Sequence, residues 1–342
     1  MARTEILTKY YSLHDNPFEP EQDAPRKINF KQSKLSLMRE LKMFEQPALK
    51  NYFVKVGSFK IASAEVESFL DSIGYNGSPV PPAILVQGAK GTGMDSMAQY
   101  VALAIRDRAP GATLSPVPIP SASQPRLLIL IKGALERFLP DGKEVFARYD
   151  KLIDPRRPDL AFLKAMLQEL ATGNIPDQPL ILTLNSIAWD SRDWLLWLYT
   201  LLSPLNVFLV FFSDDTRVAS WFDDLVAKGL LPGRSLRLKG LDAGEGKLFL
   251  ELRFDDFRAM AVAPKTFPFS PAALPLIFQD VPEQRVGVKF LLQILRNSLN
   301  AKIAALEKSY ADPPPPPPSI QIEWLDISGP YEAILSRKAP TP

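Results

Sequence analysis

The residues with the types and spacing to do chemistry are Gly88-Ala89-Lys90-Gly91-Thr92-Gly93-Met94-Asp95, which follow the apolar run Ala83 to Val86. Two glycines at this separation, between a buried strand and a helix, are the frame of a loop that cradles phosphate with backbone N–H groups, G-x-x-x-x-G-K-[ST]. Gly88 and Gly93 hold the glycine places, with Gly91 and Thr92 between them. The lysine that reaches the β- and γ-phosphates is replaced by Met94, and the hydroxyl that ligates magnesium by Asp95. Met94 offers neither charge nor hydrogen bond. Asp95 brings negative charge to where a triphosphate would lie. At an effective dielectric of about 20, two unit charges roughly 4 Å apart interact by about 4 kcal/mol. Tight ATP binding is therefore not expected. A helix N-terminus is itself an anion site, so the Asp95 carboxylate is expected to fill the phosphate hole and stabilise an empty loop. Lys90 stands one residue out of register with the loops that carry an additional early lysine. The plainer alternative is a glycine-rich turn with no ligand history, and the flanking strand and helix weigh against it.

Composition narrows the remaining chemistry. The chain has 342 residues, long enough for one large or two medium domains. It has no cysteine, which excludes disulfides, thiolate zinc sites and thiol catalysis, and its single histidine, His14, leaves almost no scope for histidine chemistry. A net charge of +2 gives no global field toward nucleic acid or an anionic membrane. No signal peptide opens the sequence and no run of 18 apolar residues is present, so a cytoplasmic protein without membrane insertion is expected.

The elements that must position the loop follow from periodicity. Helices are predicted over Ser33–Phe44 and Ala64–Ile73, then a break at Tyr75–Pro82 before the first core strand at Ile84–Val86. A helix over Met97–Ile105 and a strand over Ala112–Pro118 come next, with helices over Leu127–Phe138 and Leu160–Ala171. Leu180–Leu184 is a continuous apolar run, as in a central parallel strand, and Asp193–Leu202 is a helix. Val207–Phe212 and the short Leu236–Leu238 complete the strands. Alternating strands and helices predict an α/β fold, a parallel sheet flanked by helices; the loop Gly88–Asp95 makes it resemble the P-loop NTPase-like sheets. Beyond Asp242 the pattern is helical, over Glu245–Arg258, Pro271–Phe278 and Val288–Ile303, then the proline run Pro313–Pro318 and a tail with an apolar stretch, Ile320–Ile327.

With this order assembled, residues 10 to 305 resemble an AAA+ ATPase of the branch that includes origin-recognition and bacterial secretion or transposition ATPases. Asn16-Pro17-Phe18 looks like the motif that opens secretion-type members, and Gly88–Asp95 takes the Walker A place. Leu180–Leu184 followed by Asn185-Ser186 takes the Walker B place, where the resemblance implies an acidic pair. Val207–Ser213 matches the sensor-1 strand with Ser213 or Asp214 at its tip, and Leu236–Leu241 resembles the strand leading into the lid. Arg234 lies where some relatives carry an arginine finger, and Arg285 and Lys289 both lie near the sensor-2 place. Neither Asn185 nor Ser186 is a carboxylate, so lysine, hydroxyl, aspartate and glutamate are missing together at two motifs. The implied protein is a pseudo-ATPase with negligible hydrolysis.

The expected domains are a lead-in at 1–82, the α/β core at 83–241, a helical lid at 242–310 and a proline-rich linker with tail at 311–342. No metal site and no catalytic residue is expected, and ATP or ADP binds weakly at most. The expected partner is another protein, either an active AAA+ ATPase or a second copy. Two alternatives stand beside this: an ATP-binding, non-hydrolysing switch, and a nucleic-acid-associated accessory factor. The Trp189, Trp194 and Trp197 group reads as core packing, and the paired aspartates Asp214-Asp215 and Asp223-Asp224 as caps or solvated faces.

Overall fold

The computed structural model describes residues 3–13, 17–18, 43–45, 47–73, 82–117, 133–139, 142–150, 165–166, 169, 178–184, 187–255, 257–258, 260–262, 264–308 and 320–336. Asn16, Asn185, Ser186, most of Ser33–Phe44 and Leu160–Ala171, and the proline run lie outside them.

Five strands, β1 (Ala83–Gly88), β2 (Thr113–Val117), β3 (Leu180–Leu184), β4 (Val207–Ser213) and β5 (Gly233–Leu238), form one sheet in the order β2-β3-β4-β1-β5. Every pairing is parallel. Central strands buried on both faces need apolar residues at every position rather than at alternate ones. β3 and β4 come close to that need: LILTL and VFLVFFS are buried throughout and apolar except at Thr183 and Ser213. Alternation still decides which layer each side chain enters. Leu85, Leu182, Leu209 and Phe211 face one apolar cluster, with α5 (Arg192–Leu202) and α6 (Thr216–Ala227) packed on it. Ile84, Val86, Ile181, Val210 and Leu236 face the other, covered by α2 (Gly57–Ser72) and α3 (Met94–Arg108). α4 (Gly142–Asp150) contributes Val145 and Phe146 to the first cluster.

A third cluster forms the helical domain from α7 (Ala243–Asp255), α8 (Val288–Lys308), α9 (Trp324–Ser336) and α1 (Arg3–Tyr11). Two boundaries differ from expectation here. The segment after the proline run is an integral part of this core: Ile320, Ile322, Ile327 and Tyr331 are buried in it, Ile322 exchanges backbone hydrogen bonds with Pro268 and Ser270, and Lys302 pairs with Asp326 at 3.1 Å. The lead-in is divided. Pro17-Phe18 sits in the helical domain, where Phe18 meets Phe254 and Phe269 edge-on and the buried Arg253 donates to the Pro17 carbonyl at 2.7 Å. Met43, Phe53 and the buried face of α2 instead cover the sheet. No helix among the described residues is long and apolar enough to cross a membrane.

Candidate functional site

The connection leaving β1 runs toward β2 on one side, and the connection leaving β4 runs toward β5 on the other. The carboxyl ends of β1 and β4 therefore border the crevice where open α/β sheets take ligands. The loop Gly88–Asp95 rises from this edge, joining β1 to α3 as the glycine spacing requires. Gly91 and Gly93 have φ of +91° and +97°, values a side chain strains to adopt. Gly93 is doubly constrained, because a Cβ there would come within 2.8 Å of the Phe59 ring.

The interior of the loop is filled by Thr92. This residue is only 3% exposed, and its hydroxyl donates to the Ala89 carbonyl at 2.8 Å, reinforcing the backbone bond between the same residues at 3.0 Å. A Cβ on Gly88 would lie 2.6 Å from that hydroxyl oxygen. Met94, in the lysine place, packs against the apolar cluster under the loop, as does Val288 of the helical domain. Lys90 is exposed.

Asp95 behaves differently from expectation. It lies in the first turn of α3, past the cap residue Gly93, which has no side chain to offer the free amides. The residue is exposed, yet the protein around its carboxyl raises the pKa, outweighing the opposing pull of Lys289 and of its own amide. An acid whose folded-state pKa is raised binds protons more readily when folded, so its charge costs stability above the carboxylate range and none below it. Asp95→Asn is therefore expected to raise the melting temperature at pH 7. That gain should vanish near roughly pH 2, where both states carry the proton. Thermal melts at the two pH values check this, and a lower melting temperature at pH 7 would show that the carboxylate stabilises the loop.

At the end of β4, Ser213 is fully buried; its hydroxyl donates to the Ile187 carbonyl at 2.7 Å and accepts from the Asp215 amide at 3.1 Å. The hydroxyl at the sensor-1 place thus ties β4 to the segment after β3. Asp215 caps α6, accepting from the Arg217 amide at 2.9 Å and pairing with its guanidinium at 2.6 Å, which holds the carboxyl below its ordinary range. Trp189 carries the Arg192 guanidinium 4.1 Å from its ring centroid and that of Arg217 at 5.4 Å.

Arg234 is placed differently from expectation. β5 begins at Gly233, so Arg234 is a strand residue in register with Ile84, toward the end of the sheet away from the loop. It pairs with Glu65 of α2 at 3.0 Å.

The two sensor-2 candidates separate clearly. Arg285 donates to the Gly240 carbonyl at 2.6 Å and reaches Glu245 at 3.0 Å and Asp242 at 3.2 Å. Those carboxylates form a reciprocal cap at the start of α7: the Glu245 amide donates to Asp242 at 2.9 Å and the Asp242 amide to Glu245 at 3.1 Å. Glu245 also presses on α2, since a Cβ on Gly57 would fall 2.4 Å from its Oε1. Lys289 instead lies over the loop, its amide donating to the Gly91 carbonyl at 3.1 Å. The spacing Asp242-x-x-Glu245 was the sequence signal for the cap. Among the described residues, no group of three or more His, Asp or Glu side chains is arranged to hold a metal ion.

No family model matches the chain, and no curated protein matches it. Solved structures do. The Aeropyrum pernix ORC1 protein in complex with DNA aligns with a TM-score of 0.51 at 16% identity, covering 86% of this chain and 69% of that one. The A. pernix ORC2 protein in its ADPNP–ADP complexes gives 0.49 at 15% identity over 89% and 73% of the two chains. Domain III of the Thermotoga maritima replication initiation protein DnaA gives 0.40 at 13% over 75% and 88%. At such identities the likeness is one of fold.

Proposed function

We propose that this chain, which has the AAA+ fold, works as a pseudo-ATPase: a module kept for protein–protein assembly or regulation, without ATP turnover. The observation that carries this reading is at Met94. Where the motif needs an ammonium aimed at phosphate, the side chain extends the apolar cluster beneath the loop. Thr92 supports it by filling the loop interior. At the Walker B place the sequence has Asn185 and Ser186, so no carboxylate follows β3 directly to hold magnesium or polarise water. A protein-binding role is supported by α7, whose Leu248 and Leu252, one turn apart, stand 46% and 40% exposed while Phe249 and Leu250 are buried. Partners of this module are an active AAA+ ATPase or a second copy of the chain.

The test pairs two measurements on the purified full chain. Phosphate release with magnesium and ATP is expected to stay at background. The melting temperature is expected not to move, whereas a ligand at 100 times its Kd would stabilise by about 2.7 kcal/mol. Turnover, free of contaminating enzymes, overturns the pseudo-ATPase reading; a melting shift without turnover favours a non-hydrolysing nucleotide switch. A second reading, nucleic-acid association, is prompted by the neighbour solved with DNA. It requires DNA retention that falls steeply between low and physiological salt.

A further inference from the structure

The segment Arg285–Lys289 runs between two backbones. On one side Leu241 and Val286 exchange hydrogen bonds at 2.8 Å each, and a Cβ on Gly240 would lie 3.0 Å from the Val286 backbone. On the other, the Lys289 amide bonds the Gly91 carbonyl, and a Cβ on Gly287 would lie 3.0 Å from that same oxygen. The helical domain therefore touches the loop through main chain, at a glycine with no room for a side chain.

We propose that this contact is a self-contained latch, in which Gly287 and the Lys289 amide hold the helical domain shut on the Gly91 carbonyl with no nucleotide between them. The proposal rests on the pseudo-ATPase reading, because a latch made by the chain itself replaces closure by a bound phosphate. Three features support it. The first four amides of a helix have no partner within it, and Lys289, the second residue of α8, spends one of those amides on the loop. Val288 and Met94, both partly buried, pack against the same apolar cluster, so apolar contact flanks the hydrogen bond. The Arg285 cluster fixes the segment just upstream to Gly240, Asp242 and Glu245. Any partner that shifts α8 would then move the loop directly, and the module would be regulated through its helical domain.

The test uses hydrogen–deuterium exchange of residues 286–295 in the nucleotide-free full chain. Lys289→Pro removes the donor at a first-turn position where proline is tolerated, while Lys289→Ala keeps the amide and removes only the charge. Exchange is expected to accelerate by roughly tenfold in Lys289→Pro, the upper range for the net worth of one hydrogen bond, and to change little in Lys289→Ala. Gly287→Ala, which pushes a methyl against the Gly91 carbonyl, should act in the same direction as the proline variant, and it decides the matter if that variant does not fold. Wild-type-like exchange in both Lys289→Pro and Gly287→Ala overturns the latch. Adding magnesium and ATP to the wild type separates the two readings. A rise in melting temperature there overturns the nucleotide-independent reading of the site, while the nucleotide-free comparison of variants still rules on the contact.

Discussion

Arg285→Ala is expected to be among the most destabilising single substitutions outside the apolar cores, at about 2–4 kcal/mol in chemical denaturation. The guanidinium joins the exit of β5, the cap of α7 and the approach to α8. A charge-assisted hydrogen bond contributes about 1.5–3 kcal/mol, and the part-buried bond to the Gly240 carbonyl is of that kind. The two carboxylate pairs are partly exposed, with Arg285 at 29% and its partners at 44% and 25%, so each adds only about 0.2–1 kcal/mol after solvent screening. Removal also leaves Asp242 and Glu245 facing each other across the cap with no cation between them. Arg285→Lys should recover part of the loss, since an ammonium can reach one carboxylate but cannot span three acceptors. A loss below about 0.5 kcal/mol in Arg285→Ala, the range of ordinary surface changes, would show that the cluster is ornamental.

Much of this fold is legible in the sequence where burial is two-sided. Leu180–Leu184 is bounded by its apolar run at both ends because a central parallel strand is buried on both faces, with Thr183 its one polar member. β5 was read three residues short: Gly233-Arg234-Ser235 belongs to an edge strand, where Arg234 can face solvent and no apolar run is demanded. Arg234 accordingly lies within the strand rather than before it. α2 starts at Gly57 rather than Ala64, because its first turn contains a glycine at positive φ and no side-chain cap. The apolar stretch from Ile320 was visible, but its partners lie on α8 and around Pro268, so only three-dimensional contact could assign it to the helical domain. At the site, the exchange of lysine for methionine was plain from spacing alone. Two features were not: which of Arg285 and Lys289 meets the loop, and that the buried Thr92 hydroxyl braces it. Both depend on a few degrees of helix rotation and on the glycine geometry at Gly91 and Gly93, which no linear spacing encodes.

Restoring Met94→Lys together with Asp95→Thr is expected to raise affinity for magnesium-ATP by at least about a hundredfold while leaving hydrolysis at background. The frame the double variant needs is present: a strand ending at Gly88, positive-φ glycines at 91 and 93, and a helix whose N-terminal amides carry no side-chain cap. A lysine at position 94 would supply charge-assisted hydrogen bonds of about 1.5–3 kcal/mol. Removing the Asp95 carboxylate relieves a repulsion of up to about 4 kcal/mol against a phosphate roughly 4 Å away. Against these stand the partial desolvation of a new ammonium where Met94 packed, and the displacement of the Thr92 hydroxyl from the Ala89 carbonyl. A hundredfold gain corresponds to about 2.7 kcal/mol and lies well inside the remaining margin. Hydrolysis should not follow, because Asn185 and Ser186 still leave magnesium and the attacking water without the carboxylates they need. Binding is measured with a fluorescent ATP analogue on variants whose far-UV spectra and melting temperatures show them folded. Met94→Lys alone should gain less, since the Asp95 carboxylate would still repel the phosphate. If the folded double variant binds no better than wild type, the loop is a structural turn that never fitted a phosphate, and the likeness of the site to a Walker A loop is one of spacing alone.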